Sequence, residues 1–157
     1  MNKTNAMRVL DARNIPYTAL EYDDMIKSGQ GVSDALGVPL AHVFKTLVVI
    51  RERGRAILVM VPSDRELDLK KMAAAAGEKR VRMAAQREAE SKTGLLIGGI
   101  GALALLRKPF DVFLDASAQQ FDEILVNGGQ RGVNLKLRVS DLVDITKAQV
   151  ADVSTTV

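Results

Sequence analysis

A chain of 157 residues with 47% apolar side chains can bury a core of its own, and one domain over residues 1–157 is expected. It has no cysteine and a single histidine, His42, which excludes disulfides, thiolate metal sites, a cysteine nucleophile and a histidine zinc cluster. A net charge of +3 with a pI near 9.3 permits a nucleic-acid partner without requiring one.

Apolar spacing at Ala6, Val9 and Leu10 predicts a helix over residues 3–13, ended near Asn14. "IPYTALEY" reads as a strand and "DDMIKSGQG" as a loop. "VSDALG" reads as a short helix stopped by Gly37. "VFKTLVVIRERGRAILVMVP" is the clearest unit, two apolar strands joined by a polar turn at Gly54. After Pro62 the pattern predicts a loop, a helix ending at Gly77 and another in "AAQREAESKTG". Strands follow at "FDVFLD", "EILVNG" and "VNLKLRV". "SDLVDI" then forms a short helix capped by Ser140, and "ADVSTTV" is expected to be loose. This irregular interspersion argues for a mixed α/β (α+β) domain rather than a doubly wound parallel sheet.

The first thirteen residues contain no apolar signal-peptide core. The longest apolar run, residues 94–106, falls short of the ~20 residues a membrane span needs. A cytoplasmic location without membrane association is the expectation.

Lys45 is the anomaly of the first long strand. An unpaired ammonium is costly to bury. Either its stem covers the sheet while the head reaches water, or the head is held in a pocket for a ligand. "GGIGALA" (98–104) matches G-x-G-x-x-A at Gly99, Gly101 and Ala104, with Asp115 in the place of a ribose-binding acid. A dinucleotide site competes there with a plain turn, and with a loop whose backbone N–H groups face an anion or a polarised carbonyl. "NGGQRGVN" (127–134) is an ordinary hairpin turn, or a place of close backbone approach to a ligand. His42, Ser63, Asp64 and Ser91 read as turn, loop and cap residues. The basic residues Lys70, Lys71, Lys79, Arg80, Arg82, Arg87, Lys92, Arg107 and Lys108 form a solvated face, some of which could meet phosphate.

Four segments in order, "VFKTLVV", "VPSDRELDLKKMA", "TGLLIGG" and "FLDASAQQFDEILVNGGQRG", with the spacing between them, resemble the YbaK/EbsC family of aminoacyl-tRNA deacylases. The resemblance runs over about residues 5–152. It implies a curved, mixed, largely antiparallel sheet flanked by helices, and removal of a mischarged amino acid from tRNA in trans to the synthetase. Cys-tRNA(Pro) is the substrate of the most similar stand-alone branch. The family's site lysine falls on Lys45, its tyrosine on Tyr22, and its glycine loops on Gly98 with Gly99 and Gly128 with Gly129. Ile100 joins the expected catalytic set, and Thr46, Gly101, Arg131 and Asn134 the substrate-binding set. Lys70, Lys71, Arg107 and Lys108 are the expected tRNA contacts. The resemblance implies tRNA(Pro) and prolyl-tRNA synthetase as partners, with no DNA, cofactor or metal.

This sequence departs from the family at Ile100, Gly101 and Ala102, where a small residue, serine and proline are usual, and at Asn134, where an acid is common. Without an evident protein nucleophile, water or the substrate's own cysteinyl thiol would attack the ester, the latter releasing a cyclic thiolactone. The alternatives are a deacylase for alanine or serine esters, a non-catalytic tRNA- or synthetase-binding module of the same fold, and a nucleotide-dependent oxidoreductase.

Overall fold

The computed structural model describes residues 2–157. Helix α1 (Asn5–Ala12) is capped by Thr4, whose hydroxyl accepts from Met7 N–H, and Asn14 turns the chain through a left-handed conformation. Strand β1 (Tyr17–Glu21) leads through a loop to α2 (Gly29–Leu36). A 3₁₀ turn at Leu40–His42 precedes β2 (Phe44–Arg51), which forms a hairpin with β3 (Ile57–Pro62). Next come β4 (Arg65–Leu67), α3 (Leu69–Ala75), β5 (Val81–Met83) and α4 (Gln86–Thr93). The C-terminal third contains β6 (Asp111–Asp115), β7 (Glu123–Asn127), β8 (Val133–Arg138), α5 (Val139–Thr146), β9 (Gln149–Ala151) and β10 (Ser154–Thr156).

Among the described residues three sheets result, a mixed set dominated by antiparallel pairs. The largest has the order β5-β2-β3-β6-β9, antiparallel through β5, β2 and β3 and parallel through β3, β6 and β9. A second, β1-β8-β7, is antiparallel, and β10 pairs with β4.

The five-stranded sheet is buried on both faces, which is why β3 is apolar at every position. Along β3, Leu58 and Met60 point into a large core shared with Met7 and Leu10 of α1 and with Leu135 and Leu137 of β8. Ile57, Val59 and Val61 alternate to the other face and meet Met72 of α3, Phe113 and Val153. Apart from Phe44 in the first cluster and Phe113 in the second, the buried side chains on the two faces are aliphatic or methionine.

The structure corrects four sequence expectations. Helix α2 starts at Gly29, because Ser28 Oγ accepts from Gly31 N–H and offsets the glycines' low helix propensity. Ser140 is not a cap: β8 runs straight into α5 at Val139, and Ser140 lies within the first turn. The C-terminal segment is not loose. Val153 is fully buried and its N–H donates to Asp115, while β9 and β10 each pair with an existing strand. Finally, "GGIGALA" has no strand before it and only a single 3₁₀ turn, Ala102–Ala104, after it, so the strand–turn–helix of a dinucleotide site is absent. Asp115 is 1% exposed and accepts from Ser117, Val153 and Ser154, which leaves it no role as a ribose ligand.

Candidate active site

Lys45 lies near the start of β2, opposite Val61 of β3, and is half-buried. It belongs to no ion pair among the described residues. Its side chain borders a cavity of about 190 Å³, whose walls also include Tyr22, Thr46, Gly98, Ile100 and Asn134. Six of the expected site residues are therefore brought to one place from four parts of the chain. The volume is below the ~300–1,000 Å³ of pockets that enclose drug-sized ligands, so it suits the end of a substrate rather than the whole of one.

The polar groups in the wall are only partly satisfied. Asn134 Nδ2 donates to the Tyr22 hydroxyl at 2.9 Å. Asn134 Oδ1 and Thr46 Oγ1 are buried without a protein partner, so the wall keeps unused hydrogen-bonding capacity. Burial raises the Tyr22 phenol above its ordinary range, against the lowering effect of the Asn134 bond, and so keeps it a neutral donor.

The other expected residues shape the loops from behind. Gly98, at φ +90°, needs the freedom of glycine, and its carbonyl accepts from Asn127 Nδ2 at 2.8 Å. Asn127 Oδ1 accepts in turn from Gly129 N–H at 2.7 Å, and Arg131 Nε donates to the Ile97 carbonyl at 2.7 Å. Gly99 abuts the Gln130–Arg131 backbone, where a Cβ would lie 2.9 Å from Arg131 N. Gly101 presses on Asn127, where a Cβ would lie 2.5 Å from the carbonyl oxygen. That contact, rather than a proline, sets the course of the loop here. Gly128 packs on Val133. Gly99, Gly101, Gly128, Gly129 and Arg131 thus stand outside the cavity lining.

The N–H groups in the first glycine loop differ in availability. Gly99 N–H is spent on the Leu96 carbonyl at 2.8 Å. Those of Gly98 and Ile100 go to no protein acceptor among the described residues, and both residues border the cavity. They are N–H groups of this loop left without a protein acceptor.

Sequence reasoning missed Asn127, Ser63 and Lys27 as cavity residues. An asparagine directly before a glycine pair is a turn-stabilising signal that could have marked Asn127. Ser63 Oγ donates to the Val43 carbonyl at 2.7 Å, and no histidine or carboxylate borders the cavity to activate it. His42 lies against Phe121, ring centroids 4.0 Å apart, in agreement with its reading as structural.

The expected tRNA contacts separate onto two faces. Lys70 and Lys71 are on α3, against one face of the five-stranded sheet, whereas Arg107 and Lys108 follow Leu103 and Leu105 on the opposite face. Lys71 is also occupied, with its ammonium on Asp152 at 3.2 Å and on the Ser154 carbonyl at 2.8 Å. Lys70, Arg107 and Lys108 are exposed.

A model of the aminoacyl-tRNA editing domain matches residues 25–145, the greater part of the chain. This chain belongs to the aminoacyl-tRNA editing domain family. The chain is 34% identical over 156 residues to EbsC of Enterococcus faecalis, described as a candidate Cys-tRNA(Pro)/Cys-tRNA(Cys) deacylase, covering 98% of this chain and 94% of that protein. The proline–tRNA ligase of Thermosipho africanus is 25% identical over 138 residues, covering 83% of this chain and 24% of the ligase. A solved structure titled as a candidate trans-editing enzyme for prolyl-tRNA synthetase superposes with a TM-score of 0.84 at 26% identity, covering 99% of each chain. The hypothetical protein APE2540 superposes at 0.89 with 27% identity, covering 97% of this chain and 100% of its own. The editing-domain match includes Lys45 and both glycine loops, whereas Tyr22 and α1 precede it.

Proposed function

We propose that this chain is a trans-editing aminoacyl-tRNA deacylase that clears mischarged tRNA(Pro), with the cysteinyl ester as its substrate. Its whole length would serve as one editing domain, working in the cytoplasm beside prolyl-tRNA synthetase. The likeness to EbsC over nearly the full chain and to a quarter of the proline–tRNA ligases supports this reading. The observation that carries it is the meeting of an unpaired, half-buried Lys45 with the bare backbone of Gly98 in a cavity sized for an aminoacyl end.

In this reading the aminoacyl ester enters the cavity with its carbonyl oxygen toward the free N–H groups of Gly98 and Ile100. Such donors stabilise the charge that develops on that oxygen during attack, and loss of one typically costs ~10²–10³ in rate. Lys45 Nζ supplies positive charge to the ester and ribose end. Tyr22, neutral and tied to Asn134, donates a hydrogen bond without competing as a nucleophile.

No cysteine, histidine or carboxylate borders the cavity, so the wall offers no evident activated nucleophile. The cysteinyl thiol is therefore the preferred attacking group. Its sulfur bonds to the carbonyl carbon, the ester C–O bond breaks, and the thiol proton ends on the ribose oxygen, leaving a thiolactone and free tRNA.

The test is incubation of the pure protein with tRNA(Pro) charged with cysteine, serine or alanine, following ester loss. Multiple turnovers on the cysteinyl ester are expected. Binding without turnover on any of the three would make the chain a tRNA-binding module of the same fold.

A further inference from the structure

Helix α1 and residues 103–108 border a groove of about 640 Å³ that the active-site reading does not use. Four cationic side chains line it: Arg8 and Arg13 from α1, and Arg107 and Lys108 from the opposite wall. All four are exposed, and none is in an ion pair among the described residues. No aspartate or glutamate borders the groove, and the acid of α1, Asp11, is held by Lys3. Four like charges around one concavity repel one another unless an anion sits between them.

The groove is also fixed and close to the site. Its walls stand on the core, because Met7 and Leu10 of α1 pack in the same cluster as Leu103. Ala104 borders the groove and touches the second glycine loop, where a Cβ on Gly129 would lie 2.6 Å from Ala104 Cβ. Gly129 in turn is held by Asn127, which borders the active-site cavity. One layer of loop separates the two.

We propose that this groove seats the phosphodiester backbone of the tRNA whose aminoacyl end occupies the Lys45 cavity, with Arg8, Arg13, Arg107 and Lys108 as its phosphate contacts. The proposal rests on the reading of the chain as acting on tRNA. It gives α1, which lies outside the matched editing-domain region, a share in substrate binding. It also makes the α3 lysines, on the other face of the sheet, secondary.

The test is the affinity of the full chain for uncharged tRNA(Pro), measured by fluorescence anisotropy across a salt series. Each phosphate contact adds about 0.7–0.9 to the slope of log K against log salt. Replacing Arg8 and Arg13 together with glutamine should weaken binding roughly tenfold or more near 0.1 M salt and make the slope shallower by about 1.5. The double lysine variant R8K/R13K should keep both affinity and slope. R53Q/R55Q, the same loss of two charges in the distant β2–β3 turn, should alter neither. R107Q/K108Q should reproduce the R8Q/R13Q result from the other wall, so misfolding of one variant leaves the other to decide.

Unchanged affinity and slope in both R8Q/R13Q and R107Q/K108Q would overturn the groove, as would failure of the wild type to bind tRNA. Groove-dependent binding without deacylation of any charged tRNA would leave the groove standing and remove the enzymatic reading. Deacylation with binding indifferent to the groove would do the reverse.

Discussion

Asn127 Nδ2 donates to the Gly98 carbonyl at 2.8 Å, while the same side chain accepts from Gly129 N–H at 2.7 Å. One amide therefore ties the two glycine loops together and holds Gly98 in its left-handed conformation. Asn127→Ala should lose both bonds, destabilising the fold by about 1–3 kcal/mol. Displacement of the loop should cost ~10²-fold in kcat. Asn127→Asp retains the acceptor for Gly129 but sets a carboxylate against the Gly98 carbonyl, so it should fall at least as far. Wild-type kcat in Asn127→Ala, with its stability measured in parallel, would separate the loop tie from catalysis.

Gly101 tests the same loop by crowding. A methyl group there would sit 2.5 Å from the Asn127 carbonyl oxygen, closer than real Cβ contacts allow. Gly101→Ala should cost about 1–3 kcal/mol in stability and lower kcat as the backbone shifts. Gly37→Ala is the comparison. At φ +65° with open space around it, it should cost about 1–2 kcal/mol of backbone strain and leave activity unchanged. Equal kinetics for the two variants would contradict the crowding argument.

Much of the fold was legible because its main strands are long and apolar. Both arms of the β2–β3 hairpin and strands β6, β7 and β8 stand out, bounded by glycines or polar turns. Three-residue β4 and β5 were not legible, because no periodicity develops over so few positions, and β4 is charged at two of its three. The C-terminal strands were hidden for another reason. Val153 and Ser154 are held by Asp115, a partner almost forty positions away. In the site, Lys45 announced itself as a cation inside an apolar run. Asn127 did not, because an asparagine before two glycines satisfies a hairpin turn as well as a loop tie. The N–H groups free to meet an oxyanion are set by which carbonyl each one faces, and that is decided only in three dimensions.

Asp115 makes the attachment of the C-terminal strands pH-dependent. Burial raises its pKa, but hydrogen bonds from Ser117, from Val153 N–H and from Ser154 outweigh it and hold the carboxyl below the usual range. A depressed folded-state pKa contributes stability that is present above the unfolded value near ~3.9, and that is lost as pH falls through the folded value. Thermal unfolding followed from pH 7 to pH 2 should show this loss below about pH 4. Asp115→Asn should be less stable at pH 7 by about 2–3 kcal/mol, with a flatter acid limb. Parallel acid limbs in the two proteins would assign the acid sensitivity elsewhere.

The amino-acid series tests where the nucleophile comes from. With a substrate thiol as the attacking group, ester loss should be fastest from cysteinyl-tRNA(Pro). Serine should be much slower, because an alkoxide is far harder to form than a thiolate, and alanine should be nearly inert. Product analysis should find the thiolactone or its hydrolysis product, free cysteine. Equal rates for alanyl and cysteinyl esters, or a trapped acyl-protein, would require water attack or a protein nucleophile such as Ser63.

The most direct test of the account compares wild type with Lys45→Met on Cys-tRNA(Pro) under single-turnover conditions, beside the thermal stability of each. Methionine keeps most of the stem that packs along β2 and removes the charged head. The account predicts an unfolding midpoint within a few degrees of wild type and ester cleavage slowed at least ~10²-fold, the scale on which a lost electrostatic contact to the transition state is felt. Wild-type cleavage by Lys45→Met would show that the lysine is only part of the scaffold, and that the cavity beside it is not where the ester is broken.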